Sequence, residues 1–324
     1  MPEKSIKSLS AKIVFFGTPE FSVPALEMLA RQKGVELLAV TALARPVGRS
    51  QALADSAVAV AAQKLGVPVI QPESVHLPQF LDEVKKFNPD LFVVAAFGHI
   101  LPQSLLNVPK KGALNIHPSL LPKLRGPSPI EQAIIDGEAG TGVSIMLMDA
   151  EIDHGPILAS ERATVKPDDT RLTLSSRLSR AGARLILKTI PRWLEGSIKP
   201  AMQDDTAATY TRLLTKEDGR IFWDKTADAI ERRVRAYMGR PGSFFIWRRN
   251  AESLRCRIEA AHVEKGHAEE KPIGLVWQAA GAALAVQTMD GSLAIDRICL
   301  EGKSLVSGEE FVRGYPDIIG AMLL

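Results

Sequence analysis

An apolar run at residues 90–96 and the segment LNIHPSLLPKLRG at residues 114–126 do most to limit what this chain can fold into. The apolar run reads as a buried strand. The later segment opens as a strand and turns into a stiff loop. Asn115 and His117 sit two residues apart, so on an extended backbone their side chains share one face. Pro118 and Pro122 then forbid a helix and stiffen the chain beyond His117. An amide and an imidazole aimed the same way at a strand end are parts that carbonyl-transfer chemistry can use.

The rest of the chain supplies the sheet such a strand needs. Residues 12–16 (KIVFF) read as a buried parallel strand. Thr18, Pro19 and Glu20 after it carry helix-start signals, with the hydroxyl as N-cap and the proline in the first turn. Residues 35–41 form the next strand, so the chain opens strand–helix–strand. Further strands are expected at 67–71, 90–96, 113–116 and 141–149, and helices at 56–65, 81–87, 129–135 and 171–194. The expected class is α/β, a doubly wound, mainly parallel Rossmann-like sheet. It occupies residues 1–199, followed by a linker at 200–218. From 219 to 324 one basic helix precedes short alternating segments at 243–248, 254–262, 273–278, 283–288 and 292–300, which read as a small OB-like β-barrel. The first strand–helix turn is GTPEFS, with one glycine and an acid where a pyrophosphate would sit, which disfavours a dinucleotide.

Composition narrows the setting. Only Cys256 and Cys299 occur among 324 residues, which argues against a disulfide framework or a cysteine-held metal and suits a reducing cytoplasm. No apolar run reaches membrane-spanning length, and the N-terminus lacks the apolar core of a secretory signal. No His-based metal spacing is present. The formal charge of +3 permits a nucleic-acid partner without requiring one. Between residues 220 and 257 ten basic residues face four acids, so the second domain is the part best suited to a phosphate backbone. Phe244, Phe245 and Trp247 in that stretch are expected in the barrel core.

Asn115, His117 and Asp153 all fall near strand ends, where a doubly wound sheet forms its crevice. With no serine or cysteine nucleophile beside them, the nucleophile would belong to the substrate. Asn115 would then donate to a developing oxyanion, His117 would support that charge and manage protons, and Asp153 would hold the imidazole. Each residue alone also has a plain structural reading: Asn–x–His at a strand end is often only packing, and an Asp before His154 and Gly155 is ordinary turn chemistry.

The surrounding motifs decide between these readings. FFGTPEFSVPALEML at 15–29, VVAAFGHILP at 93–102, NIHPSLLPKLRGPSPIEQAI at 115–134 and TGVSIMLMDAEIDHGPIL at 141–158 resemble the folate-dependent formyltransferases. The resemblance is closest to their branch that acts on methionyl-tRNA, and it covers essentially the whole chain in order. It implies that Asn115, His117 and Asp153 are catalytic and that 10-formyltetrahydrofolate is the donor substrate, with no metal. The pterin would lie against Phe97, Gly98, His99 and Leu101, with Ser119, Leu120, Leu121 and Pro122 alongside and Met148 and Asp149 opposite. The implied acceptor is the α-amine of methionyl-initiator-tRNA, held by Arg45, Arg49, Arg232 and Arg235. A monomer with no membrane partner is expected. Two relatives in chemistry remain open: transfer to a nucleotide-linked amino sugar, and hydrolysis of the formyl donor. In the loop at 44–54 the family's aspartate is Ala44 and its two lysines are Gln51 and Ala52, which weakens phosphate attraction there and leaves Arg45 and Arg49.

Overall fold

The computed structural model describes residues 10–47, 52–250, 252–264 and 271–323. Two compact units emerge: Met1–Pro129, Gly140–Thr164 and Ser175–Thr211 form one, and Ile130–Ala139, Val165–Leu174 and Arg212–Leu324 the other. The stretch read as a linker is therefore shared: residues 200–211 group with the first unit and Arg212 onward with the second.

In chain order the first elements are β1 (Ala11–Gly17), α1 (Val23–Ala30), β2 (Val35–Val40), β3 (Arg45–Val47), β4 (Ala52–Ala54) and α2 (Ala57–Leu65). They continue with β5 (Val69–Ile70), α3 (Pro78–Phe87), β6 (Leu91–Ala95), α4 (Gln103–Leu106) and β7 (Ala113–His117). Next come α5 (Pro129–Ile135), β8 (Gly140–Leu147), β9 (Ile157–Thr164) and α6 (Arg171–Leu194). Seven strands of the first unit make one sheet in the order β5-β2-β1-β6-β7-β8-β9. The first five run parallel, while β8 and β9 are antiparallel additions. From β1 the chain winds outward through β2 to β5, then returns to β6 and β7 on the other side. The reversal puts the carboxyl ends of β1, β6 and β7 around one crevice, the usual place for a ligand.

Central strands β1 and β6 are buried on both faces, which explains their unbroken apolar sequence. On one face Val14, Phe16, Leu38, Val40, Phe92 and Val94 pack with Phe80 and Val84 of α3 and Leu105 of α4. On the sheet's β7–β8 portion α6 comes close through Gly182, where an added Cβ would lie 2.5 Å from the Ile116 side chain. The N-cap expected at Thr18 is replaced by another role. Its hydroxyl donates to the Phe97 carbonyl at 3.0 Å, and α1 begins only at Val23 after a 3₁₀ turn. Ser22 likewise donates to the Ala95 carbonyl at 2.6 Å. These two bonds tie the β1 end to the β6 end and so fix one wall of the crevice. Strand β9 lacks a clean sequence signature because it is an edge strand with an alternating, half-exposed pattern.

The second unit contains α7 (Ala227–Ala236), β10 (Ser243–Arg249), β11 (Glu252–Glu264), β12 (Val276–Ala279), β13 (Ala282–Gln287), β14 (Ser292–Leu300), β15 (Val306–Ser307) and α8 (Gly308–Gly314). Its strands pair antiparallel in the order β10-β11-β14-β13-β12, with β15 on β14, giving a barrel-like sheet around one core. Trp223, Ile230, Phe245, Trp247, Val286, Ile298 and Phe311 fill that core. Phe244, Phe245 and Trp247 are all buried, so they stabilise the barrel and leave no stacking face for a base. Cys256 and Cys299 are free and buried. Burial, with some help from neighbouring Cys299, pushes the Cys256 thiol up to about 12, so it stays a neutral packing group. Among the described residues no helix is long and apolar enough to cross a membrane.

Phe16 is the piece of core nearest the crevice wall: it is fully buried and meets Phe92 and Phe97 edge-on at 4.9 and 5.3 Å. Phe16→Ala should destabilise the first unit by about 3–5 kcal/mol, measured by denaturant unfolding. A loss below about 1 kcal/mol would mean that this aromatic cluster does not support the wall.

Candidate active site

Strand β7 delivers Asn115 and His117 to the crevice on one face, as their spacing requires, and both side chains meet the same carboxylate. Asn115 Nδ2 donates to Asp153 Oδ1 at 3.1 Å. His117 Nδ1 lies 3.5 Å from Asp153 Oδ2, with the imidazole 4% and the carboxylate 13% exposed. The other ring nitrogen, Nε2, is 2.9 Å from the Leu124 carbonyl oxygen. A carbonyl can only accept, so Nε2 carries a hydrogen and, in the neutral ring, Nδ1 carries the lone pair. Asp153 Oδ2 also accepts from the Gly126 amide at 2.8 Å. Each carboxylate oxygen thus receives one donor and keeps a lone pair for a further proton.

The backbone that presents Asp153 is unusual for its residue type. Asp153 has φ +51°, in the left-handed region that aspartate tolerates better than most side chains. Two residues on, Gly155 passes so close to the Leu147 carbonyl that an added Cβ would lie 1.9 Å from its oxygen. Across the crevice, Gly126 takes φ +104°, with the Thr211 carbonyl 2.5 Å from where a Cβ would stand. Both turns therefore need glycine, and both face Asp153. The Leu124 carbonyl and Gly126 amide are main-chain participants with no side-chain signature in the sequence. Only the glycine and the prolines around them hint that the loop approaches something closely.

Residues expected to flank a pterin form a wall of two kinds. Phe97, Leu101, Ser119 and Leu121 are buried. Leu120, Pro122, Met148 and Asp149 are half-buried, and Gly98 and His99 are exposed. Between Ala96 and Leu101 the backbone is neither helix nor strand, and it bends through positive φ at Ala96 and Gly98. The opposite wall is locked: Ser144 Oγ donates to the Ser119 carbonyl at 2.8 Å and accepts from the Leu121 amide at 3.1 Å. An apolar floor beside irregular backbone suits a flat heteroaromatic group with donors and acceptors along its edge.

The expected cationic residues divide. Arg45 on β3 is exposed, and Arg49 lies outside the described residues. Arg232 Nε donates to the Ile135 carbonyl at 3.0 Å. Arg235 pairs with Glu231 and donates to the Asp169 carbonyl at 2.6 Å. The last two guanidinium groups therefore hold elements of the second unit together as well as contributing charge.

A doubly wound sheet that brings an amide, an imidazole and a shared carboxylate to its crevice suits chemistry on a carbonyl carbon. The formyl transferase family model matches residues 11–190, and the formyl transferase C-terminal domain model matches residues 213–316. The chain belongs to the formyl transferase family. Within it, the chain is 37% identical to a methionyl-tRNA formyltransferase of Citrifermentans bemidjiense over 96% of each chain. It is 40% identical to one of Roseiflexus over 94% of this chain and 92% of the other. In fold it resembles the sugar 3N-formyl transferase WlaRD (TM-score 0.62, 17% identity), covering 91% of this chain and all of that one. It also resembles HypX from Aquifex aeolicus in complex with tetrahydrofolic acid (TM-score 0.62, 17% identity), covering 94% of this chain while spanning 47% of HypX.

His154, next to Asp153, turns away from it. Its Nδ1 lies 2.7 Å from Asp149 Oδ2, and its Nε2 lies 3.6 Å from Asp205 Oδ2. The bond to Asp149, with the nearby charges of Asp149, Glu151 and Asp205, raises its pKa above the ordinary 6.5. A raised folded-state pKa stabilises the fold below the ordinary value, and that gain is lost as pH rises through the raised one. An NMR titration should place the His154 midpoint above that of a free imidazole, and Asp149→Asn should lower it. A midpoint unchanged by Asp149→Asn would contradict this assignment.

Proposed function

We propose that this chain transfers the formyl group of 10-formyltetrahydrofolate to the α-amine of methionyl-initiator-tRNA, giving the formylated initiator used to begin translation. The observation that carries the reading is the single carboxylate of Asp153 serving both Asn115 and His117. The near full-length likeness to methionyl-tRNA formyltransferases supports the acceptor.

The roles rest on the valences left open. Asn115 uses one amide hydrogen on Asp153, and its second is turned to the formyl oxygen, where negative charge collects as the amine adds. His117 donates Nε2–H to Leu124, so the proton it exchanges is carried at Nδ1, beside Asp153. The attacking nitrogen must lose a proton as its bond to the formyl carbon forms, and N10 of the donor must gain one as its bond to that carbon breaks. Asp153 receives the first proton on a free lone pair, and the imidazole beside it relays a proton to the leaving nitrogen. The amine supplies the electron pair, which is why no protein nucleophile is needed. Folate binds against residues 97–101, 119–122 and 148–149, and Arg45 and Arg49, with Arg232 and Arg235, contribute positive charge for the tRNA.

The test is formyl transfer from 10-formyltetrahydrofolate with methionyl-initiator-tRNA, methionyl-elongator-tRNA and an amino-sugar nucleotide in parallel. Rapid formylation of the initiator alone is expected. His117→Ala and Asp153→Ala should each lower kcat by about 10²–10⁴-fold, and Asp153→Ala should also lower thermal stability, because the Asn115 and Gly126 donors lose their acceptor. Formylation of the sugar in place of tRNA would overturn the acceptor, and near-normal turnover in either variant would overturn the roles.

A further inference from the structure

Among the described residues Arg125 is the largest buried charged side chain, 2% exposed, and no step of the formyl transfer uses it. Its fork is nonetheless filled. Nε and Nη2 both donate to Gln203 Oε1 at 3.1 and 3.0 Å, Nη2 donates to Asp205 Oδ1 at 2.7 Å, and Nη1 donates to the Tyr210 hydroxyl at 3.1 Å. All three partners come from residues 203–210, after the last strand and helix of the sheet domain. Gln203 then passes the contact on. Its Nε2 donates to the main-chain carbonyls of Asp153 at 2.8 Å and Gly155 at 2.7 Å.

Arg125 also sits in the other half of the site through its backbone. Its amide donates to the Thr209 carbonyl, and its own carbonyl accepts from the Thr211 amide at 2.7 Å. The neighbours on either side of it are the two main-chain groups of the active site: the Leu124 carbonyl, which fixes His117, and the Gly126 amide, which fixes Asp153. One buried arginine is thus linked indirectly to both ends of the His117–Asp153 pair. It reaches one through its chain neighbours and the other through Gln203.

We propose that Arg125 and Gln203 are positioning residues: Arg125 orients the Gln203 amide, and Gln203 clamps the left-handed Asp153–Gly155 turn so that its carboxylate reaches Asn115 and Gly126. The direction of the glutamine is dictated by chemistry. A guanidinium only donates and a carbonyl only accepts, so Oε1 must face Arg125 and Nε2 must face the two carbonyls. The catalytic site is therefore completed by residues 203–211 and does not end with the sheet.

This directionality separates positioning from mere packing. Gln203→Glu keeps the size and strengthens the pairing with Arg125, but it places an oxygen without hydrogens against two carbonyls. If Gln203 only packs, the variant should be as stable and as active as the parent. Under this proposal the Asp153 and Gly155 carbonyls lose their donor and face a carboxylate oxygen, so the variant unfolds at a lower temperature than the parent while remaining folded under assay conditions. Its kcat drops by about 10²-fold, the scale of a small misplacement of a catalytic group, while KM for either substrate is unchanged. The Gly126 amide, released from Asp153, exchanges faster with deuterium. Arg125→Lys, which keeps the charge beside Asp205 but loses the fork, should change kcat and Gly126 exchange the same way. Parental kcat with a protected Gly126 amide in Gln203→Glu would overturn the proposal. The kinetic arm rests on the formyl-transfer reading; amide exchange does not. If the parent chain formylates no acceptor, a protected Gly126 amide in the variant overturns the clamp and an exposed one sustains it.

Discussion

A single carboxylate in a left-handed turn is what holds the Asn115–His117–Asp153 cluster together. Asp153 accepts from Asn115 on one oxygen and from the Gly126 amide on the other, and that second oxygen also faces His117. Remove the carboxylate and three groups lose their reference at once. The amide could rotate, the loop amide would lack an acceptor, and the imidazole would have no charge opposite Nδ1. In a site this enclosed an unpaired polar group is expensive, so the arrangement holds only as a set.

The sheet brings the pieces together. The reversal of winding at β1 and β6 opens the crevice, and β7 beside it carries Asn115 and His117 to its mouth. Hydroxyls of Thr18 and Ser22 lock the β1 and β6 ends together. The Ser119–Leu121 loop is held by Ser144 from β8. Rigid strands thus fix the amide and the imidazole, while the carboxylate comes from a turn that needs outside support. Gln203 and Arg125 provide it.

Much of this architecture is legible in the residues. The apolar runs of β1 and β6, the two-residue spacing of Asn115 and His117, and the prolines after them point to the sheet and to the crevice. Asp153 can be named from its motif and paired with His117, but its bonds to Asn115 and the Gly126 amide cannot, because a turn's direction depends on φ and not on periodicity. The Leu124 carbonyl and the Gly126 amide are out of reach since every residue has such groups. Arg125 looks like one more surface cation, and nothing local says that an arginine is buried. Arg232 and Arg235 illustrate the converse. They stand in a basic run suited to phosphate, and each also spends donors on a carbonyl of its own unit. Phe244, Phe245 and Trp247 are buried in the barrel strand, as their place in that stretch leads one to expect.

The central claim is that Asn115 and Asp153 act as one unit, and a double-mutant cycle on kcat/KM tests it most directly. Asn115→Ala, Asp153→Ala and the double variant would be compared with the parent chain under identical formyl-transfer conditions. If the carboxylate is what holds the amide in place, the double variant should be little worse than Asp153→Ala alone, a strongly non-additive cycle. Losses that multiply in full would show two independent contributions and contradict the claim.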